Sequence, residues 1–446
     1  MKKKMLKIVI FLLLTLIAIV HSFYLTNLYS YDEIWNYGFA KNILDGLIPY
    51  KDFNMIIPPL FPYITAGILF IFGKKLIVYH ILMAVLVTGI TYLASKKIGW
   101  YSFLIYSCLL IYSTNGYNIN SLFLLFLLLT ILDKKTNKQE ILIPIIISLM
   151  IQTKQTLVLL IIPNIIYSKN KKKTIAVYFV CFLLFLTYLL INNNLIEFID
   201  YCFLGMFEFT EKNNLTRTYY FPIELVSCIF LLQILIKTKG ERKDAFYCLM
   251  YQIITFPITD ISHFVLGWAP VIYILFQKKE LTKFIKISTF LVLLTIQVSI
   301  LFMNDYVTSI KPRIYLDHNT SNTFLEGRLT PIITENYIST MKELIQRYPD
   351  HKLYILGNYS YLVKLYLDIP INKYDLINDG NMGYHGSQKY IQEIKKDCQN
   401  QSCLFIVNDM ELTKKSYNQT NAEILEYVTK NYNKIYSSSV FGGYIT

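Results

Sequence analysis

Two adjacent acids, Asp32 and Glu33, stand in Tyr31-Asp32-Glu33-Ile34-Trp35, directly after the first apolar run of the chain. Carboxylates at such a boundary are costly unless they are solvated, paired or used. One role is local: Asp32 caps a helix that starts at Glu33, and both acids complement the positive end of its dipole. That role is compatible with acid–base chemistry. Neighbouring helical residues project about 100° apart, so the two carboxyls do not face each other across a bond. A two-carboxylate glycosidase needs that facing geometry, so the pair reads as one catalytic acid and one helper. Lys154 is a lone cation in the turn Gln152-Thr153-Lys154, between two apolar runs. It either snorkels to an interface or holds an anion. Asp260 and His263 lie three residues apart and could share a helical face. By themselves they are too few ligands for a metal site.

The elements that position these residues are read from composition. Of 446 residues, 54 % are hydrophobic and only 16 % charged. Mean hydropathy is +0.40, and soluble domains carry about 25 % charged residues. Such a chain is neither an ordinary soluble enzyme nor a disordered one, and its seven cysteines are too sparse for a disulfide scaffold. Tyr (37) and Phe (29) are abundant, as expected at long membrane–water interfaces. The formal charge of +13 sits in short lysine clusters between apolar runs, which marks cytoplasmic loops rather than a nucleic-acid surface.

Leu6 to about Leu28 is long enough to cross ~30 Å of hydrocarbon, with Lys2, Lys3, Lys4 and Lys7 holding its start in the cytoplasm. It reads as an uncleaved anchor, since no small-x-small cleavage site follows. Residues 29–75 form a long external loop. Further spans follow at about 76–95, 99–113, 120–132, 141–152, 156–168, 174–191, 221–236, 245–257, 264–277 and 285–303. This gives a multi-pass α-helical membrane protein of about 11 transmembrane helices, N-terminus cytoplasmic and C-terminus extracytoplasmic. About 21 Lys and Arg fall on the cytoplasmic segments and about 7 on the external loops before residue 304, which supports that orientation.

Residues 1–303 thus form a membrane domain and 304–446 a polar extracytoplasmic one. In the latter, strands are expected at Lys352–Tyr359, Asn372–Ile377, Ser402–Val407 and Asn433–Val440, and helices at Tyr361–Leu367, Ser387–Asp397 and Asn421–Asn431. That alternation predicts a small α/β layer domain with a mostly parallel sheet. Cys398 and Cys403 are close enough in sequence for a disulfide, which spacing alone does not establish.

The external loop continues through Gly46-Leu47-Ile48-Pro49-Tyr50-Lys51-Asp52-Phe53 to Pro58-Pro59-Leu60-Phe61-Pro62-Tyr63. Prolines suit the start of a helix. Residues 58–72 cannot cross the membrane if Lys96 and Lys97 are cytoplasmic, so they should lie along its outer surface as an interfacial helix. A second surface helix follows Asp32-Glu33.

This layout resembles the GT-C glycosyltransferases, and within them the branch of protein O-mannosyltransferases and bacterial aminoarabinose lipid A transferases. The resemblance rests on Asp32-Glu33 after the first span, on Gly46 with Pro49 to Phe53, on Pro58 to Tyr63, and on the Thr153-Lys154 turn. It covers roughly residues 1–280. Two features depart from the family. The outer turn Asn115-Gly116-Tyr117-Asn118-Ile119-Asn120 has no acid where many members carry one. Ile57 stands where many have a Lys before the proline pair, and Lys51 is its candidate substitute.

The resemblance implies transfer of a sugar from a polyprenyl-phosphate donor to a glycan, lipid or protein acceptor on the outer face, with inversion. Asp32 would be the general base, with Glu33 beside it. Lys154, Lys51, Arg217 and Tyr50 would attend the donor phosphate. Asp52, Asn118, Asn120, Asp260 and His263 would contact acceptor or sugar. Membrane lipids are the surroundings, no nucleic acid is involved, and no cofactor is expected. The rival from another class is a transporter or flippase of lipid-linked sugars or other solutes, which the position of the charges on external turns disfavours.

Overall fold

A computed structural model describes residues 2–25, 31–110, 113–132, 138–205, 217–237, 242–253, 261–277, 318–319, 324–326, 329–330, 332–356, 360–375, 382–407, 419–438 and 441–446, with isolated positions between 283 and 294. The expected span at 285–303 and the 303/304 boundary lie largely outside the described residues.

The chain divides into two compact units. The first comprises Met1–Asn36, Pro58–Leu186 and Leu215–Ile314, and the second Tyr37–Ile57, Thr187–Asn214 and Tyr315–Thr446. Helices of the first unit are α1 (Lys2–Ile19), the start of α2 (Tyr31–Leu44), α3 (Leu60–Phe72), α4 (Leu76–Ile98), α5 (Ser102–Leu110), α6 (Gly116–Leu132), α7 (Gln139–Ile151), α8 (Ile161–Tyr167), α9 (Lys171–Ile191) up to Leu186, α10 (Arg217–Lys237), α11 (Arg242–Ile253) and α12 (Ile261–Gln277).

Three helical stretches, Met5–Phe23, Leu76–Leu110 and Lys171–Ile191, are long and apolar enough to cross a membrane. The third of them leaves Phe179, Val180, Phe182, Leu184 and Ile191 exposed, as a lipid-facing helix would. In contrast, α3 buries Phe61, Pro62, Thr65, Ala66 and Leu69 while Phe70, Ile71 and Phe72 stand 66–80 % exposed. Both its faces are therefore apolar, so it lacks the polar face of an amphipathic surface helix.

Buried polar pairs tie the helices of this unit together: Gln252 Nε2 donates to Ser227 Oγ at 3.0 Å, and Tyr178 Oη donates to Asn164 Oδ1 at 2.8 Å. Turns expected on the cytoplasmic side meet one another. Lys97 pairs with Asp244 at 3.1 Å. Glu140 accepts from the Lys169 amide at 3.0 Å and from the Thr174 hydroxyl at 3.1 Å, and the Lys243 ammonium lies over the Tyr167 ring. These contacts bring the segments around Lys97, Glu140, Lys169 and Asp244 together at one end of the unit.

The second unit contains a four-stranded sheet of β1 (Lys352–Leu356), β2 (Cys403–Val407), β3 (Asn433–Ser437) and β4 (Gly442–Ile445), in the order β1-β2-β4-β3. Helices α13 (Ile332–Arg347), α14 (Ser360–Leu367), α15 (Gly386–Asn400) and α16 (Gln419–Asn431) accompany it. The sheet is mixed, not mostly parallel. Only β1 and β2 run parallel, while β4 pairs antiparallel with both β2 and β3. The cause is a hairpin: Ser438 and Phe441 close a tight turn by backbone hydrogen bonding at 3.0 Å, and a turn of that length joins only antiparallel strands. Strand β4 begins Gly442-Gly443, a pair that strand propensity disfavours. A Cβ at Gly443 would press on Leu344 at 2.9 Å, so glycine leaves room for α13.

Residues 372–375 are a turn rather than the start of a strand. Asp375, 1 % exposed, accepts from the Lys364 ammonium at 2.6 Å and from the Asn372 amide. Cys398 and Cys403 form a disulfide from the end of α15 to the start of β2.

Candidate functional site

Glu33, Ile34 and Asn36 are buried in the first unit, where the first turn of α2 starts with two acids at its positive end. The two carboxyls part company as their helical spacing requires. Asp32 Oδ2 accepts from Asn115 Nδ2 at 2.8 Å. Glu33 Oε1 lies 2.9 Å from His80 Nε2, and His80 Nδ1 lies 2.9 Å from Ser22 Oγ. Glu33 and His80 are fully buried; Asp32 is half-buried.

Three further elements converge here. Leu60, the first residue of α3, donates its amide to Gln152 O at 3.1 Å, so the proline-led helix is pinned to the turn that carries Lys154. Lys154 is extended (φ −149°, ψ 116°) after the end of α7, and its Nζ donates to Asn118 Oδ1 at 2.9 Å. The Tyr117 ring lies 5.8 Å from the same ammonium. The turn before α6 is held by Tyr79, whose hydroxyl donates to Thr114 O at 2.6 Å. Gly116 is required there, since a Cβ would collide with the Phe61 ring and the Tyr79 hydroxyl. Asp32 and Lys154 are thus each hydrogen-bonded to an asparagine, Asn115 and Asn118, and those two lie three residues apart at the start of α6. From His80 to Lys97 along α4 is about 25 Å at 1.5 Å per residue. The site and the lysine-rich turns therefore lie at opposite ends of that helix.

Asn120 is buried nearby, and its Nδ2 donates to Thr153 Oγ1 at 3.2 Å, which braces the Lys154 turn. Tyr50, Lys51 and Asp52 belong to the second unit. There α2 ends at Gly46 (φ 86°), with Leu47 N donating to Asn42 O and Gly46 N to Ile43 O. Tyr50 is buried at φ 69°, and its hydroxyl donates to Ile57 O at 2.7 Å. Asp52 accepts from the Ile48 amide at 2.7 Å, closing the same turn, and Lys51 is exposed. The later part of α2 packs within this unit: Asn42 Nδ2 donates to Tyr361 Oη at 2.5 Å, and a Cβ at Gly38 would overlap the Tyr361 ring. Asp260 and the side chains of Arg217 and His263 lie outside the described residues. Among the described residues no three His, Cys, Asp or Glu side chains gather as a metal site.

His80 and Asn115 were not singled out by the sequence reading. His80 had a usable signal, an ionisable residue inside an apolar span. Removing one partner of a buried ion pair typically costs about 3–5 kcal/mol, and leaving a buried neutral polar group unsatisfied about 1–3 kcal/mol. His80→Leu should accordingly lower the thermal unfolding temperature of the detergent-solubilised protein. Glu33→Gln in the same chain should recover part of the loss, because an amide tolerates an apolar neighbour better than a carboxylate. Equal melting of His80→Leu and wild type would show that the pair contributes nothing.

No family model and no curated protein sequence matches the chain. Among solved structures it is similar to ArnT from Cupriavidus metallidurans in the apo state, with a TM-score of 0.56 over 99 % of this chain and 98 % of that one, at 10 % identity. The chain therefore shares the fold of that ArnT over nearly its whole length, as the resemblance to the aminoarabinose lipid A transferase branch led us to expect.

Proposed function

We propose that the chain is an integral-membrane glycosyltransferase that moves a sugar from a polyprenyl-phosphate donor to an acceptor on the outer face of the membrane. The observation that carries this reading is the pair of hydrogen bonds Asp32–Asn115 and Lys154–Asn118, whose asparagines lie three residues apart. It sets a carboxylate and a cation, on separate elements, at one end of a helical membrane unit. A transfer of this kind needs both. The acceptor O–H gives its proton to Asp32 as its oxygen attacks the anomeric carbon. The bond from that carbon to the phosphate oxygen breaks, and the polyprenyl phosphate leaves with its charge facing Lys154. A single displacement inverts the anomeric centre. The reaction uses no cofactor or metal.

The outer-face assignment rests on two supports. Lysine-rich turns cluster at the other end of the unit, as cytoplasmic segments do. The Cys398–Cys403 disulfide suits an oxidising compartment. Alkylation of intact cells before lysis should accordingly find Cys398 and Cys403 oxidised and the membrane cysteines Cys108 and Cys248 as thiols. Two free thiols at 398 and 403 would place the C-terminal unit in the cytosol and overturn the orientation.

The reading is tested by reconstituting the protein in liposomes with radiolabelled polyprenyl phosphosugars and membrane extract as acceptor source. Label should move from the lipid to acceptor. Movement of lipid-linked sugar or solute between leaflets without transfer would replace this reading by the transporter.

A further inference from the structure

Two buried amides at the outer turn are each held in one orientation by a charge. Asp32 as a carboxylate only accepts, so Asn115 presents Nδ2 to it. The Lys154 ammonium only donates, so Asn118 presents Oδ1 to it. The opposite atom of each amide is thereby fixed as well. Asn115 Oδ1 and Asn118 Nδ2 are buried, and neither has a hydrogen-bond partner among the described residues. Both residues are 2 % exposed. Buried polar atoms are normally paired, so two orphans in one place point to a missing ligand.

Residues 115 and 118 are three apart at the start of α6, and the Ile119 amide donates to Asn115 O at 3.0 Å, so Asn115 already takes part in the first turn. Residues at that spacing are neighbours on one helical face. One fixed acceptor and one fixed donor therefore stand between the carboxylate and the cation. A hydroxyl satisfies both, donating to Asn115 Oδ1 and accepting from Asn118 Nδ2. An ammonium has no lone pair for Asn118 and sets N–H against N–H. A phosphate oxygen has no proton for Asn115.

We infer that Asn115 and Asn118 together bind one neutral hydroxyl of the transferred sugar and select against a sugar bearing an amino group at that position. The inference rests on the transferase reading and names the class of its donor: a neutral, hydroxylated sugar rather than an aminosugar at this contact. Asn118→Asp should reverse the preference. One carboxylate oxygen keeps the bond to Lys154, and the other replaces a donor by an acceptor that suits an ammonium.

The full-length protein in nanodiscs is titrated with polyprenyl phosphates carrying glucose, galactose or mannose, and with the single amino-for-hydroxyl analogues of whichever binds. Binding is followed by tryptophan fluorescence, and transfer is measured separately with radiolabel. A neutral sugar should bind, one amino analogue should bind at least about tenfold more weakly, and Asn118→Asp should narrow or invert that ratio. Failure of every neutral sugar to bind, equal binding of all analogues, or an unchanged ratio in Asn118→Asp would each overturn the inference. The wild-type panel alone decides it if the variant fails to fold. Selective binding without transfer removes the transferase reading and leaves the hydroxyl site. Transfer without discrimination does the reverse.

Discussion

Asp32→Asn should lower the rate of sugar transfer by about 10²–10⁴-fold, the usual contribution of a placed general base. The substitution is nearly isosteric, so the side chain keeps its place beside Asn115, whose Nδ2 now lies 2.8 Å from Asp32 Oδ2. What changes is the capacity to take a proton from the acceptor hydroxyl. Donor binding should be largely retained, because Lys154 and its partner Asn118 are untouched. The loss therefore belongs in kcat rather than in the donor KM. Transfer at the wild-type rate by folded Asp32→Asn protein would remove Asp32 from the role of base.

The candidate residues were readable one by one, and their meeting was not. Asp32-Glu33, the proline pair and Gln152-Thr153-Lys154 are visible as short motifs because each breaks an apolar run. The bond from Leu60 N to Gln152 O and that from Asn115 to Asp32 join residues some 80 or more positions apart, which no local pattern encodes. His80 was hidden inside Leu76-Ile77-Val78-Tyr79-His80-Ile81, where hydropathy dominates the reading. Local periodicity served well for elements that stand by themselves. It gave α14 within one residue and α15 and α16 within three, and it placed the whole of β2. It failed where a neighbour decides. Glycine in β4 answers to Leu344, and the turn at 372–375 answers to the Lys364–Asp375 ion pair. The same limit applies to the first external loop. Its sequence reads as one polar connection, yet its first residues are held by α4 and α6, while residues 37–57 form part of the second unit.

Lys154→Ala should lower kcat by about 10²–10³-fold, comparable to deleting one preorganised donor from an anion-stabilising site. The leaving polyprenyl phosphate gains negative charge as the glycosidic bond breaks, and a cation in a partly dehydrated setting acts more strongly there than in water. Lys154 is prepared for such a role. Asn118 Oδ1 holds its ammonium at 2.9 Å, and Tyr117 offers a ring face 5.8 Å away. A lysine that merely anchors the turn at the membrane surface would behave differently. Its removal would lower insertion or yield and leave kcat per folded molecule unchanged. Lys154→Arg separates charge from geometry. It keeps the positive charge but spreads it over a planar group that the Asn118 and Tyr117 cradle is not shaped to hold. Activity should fall between wild type and Lys154→Ala. An alanine variant that folds, inserts and turns over normally would leave the leaving group without its cation and would move the phosphate site away from this turn.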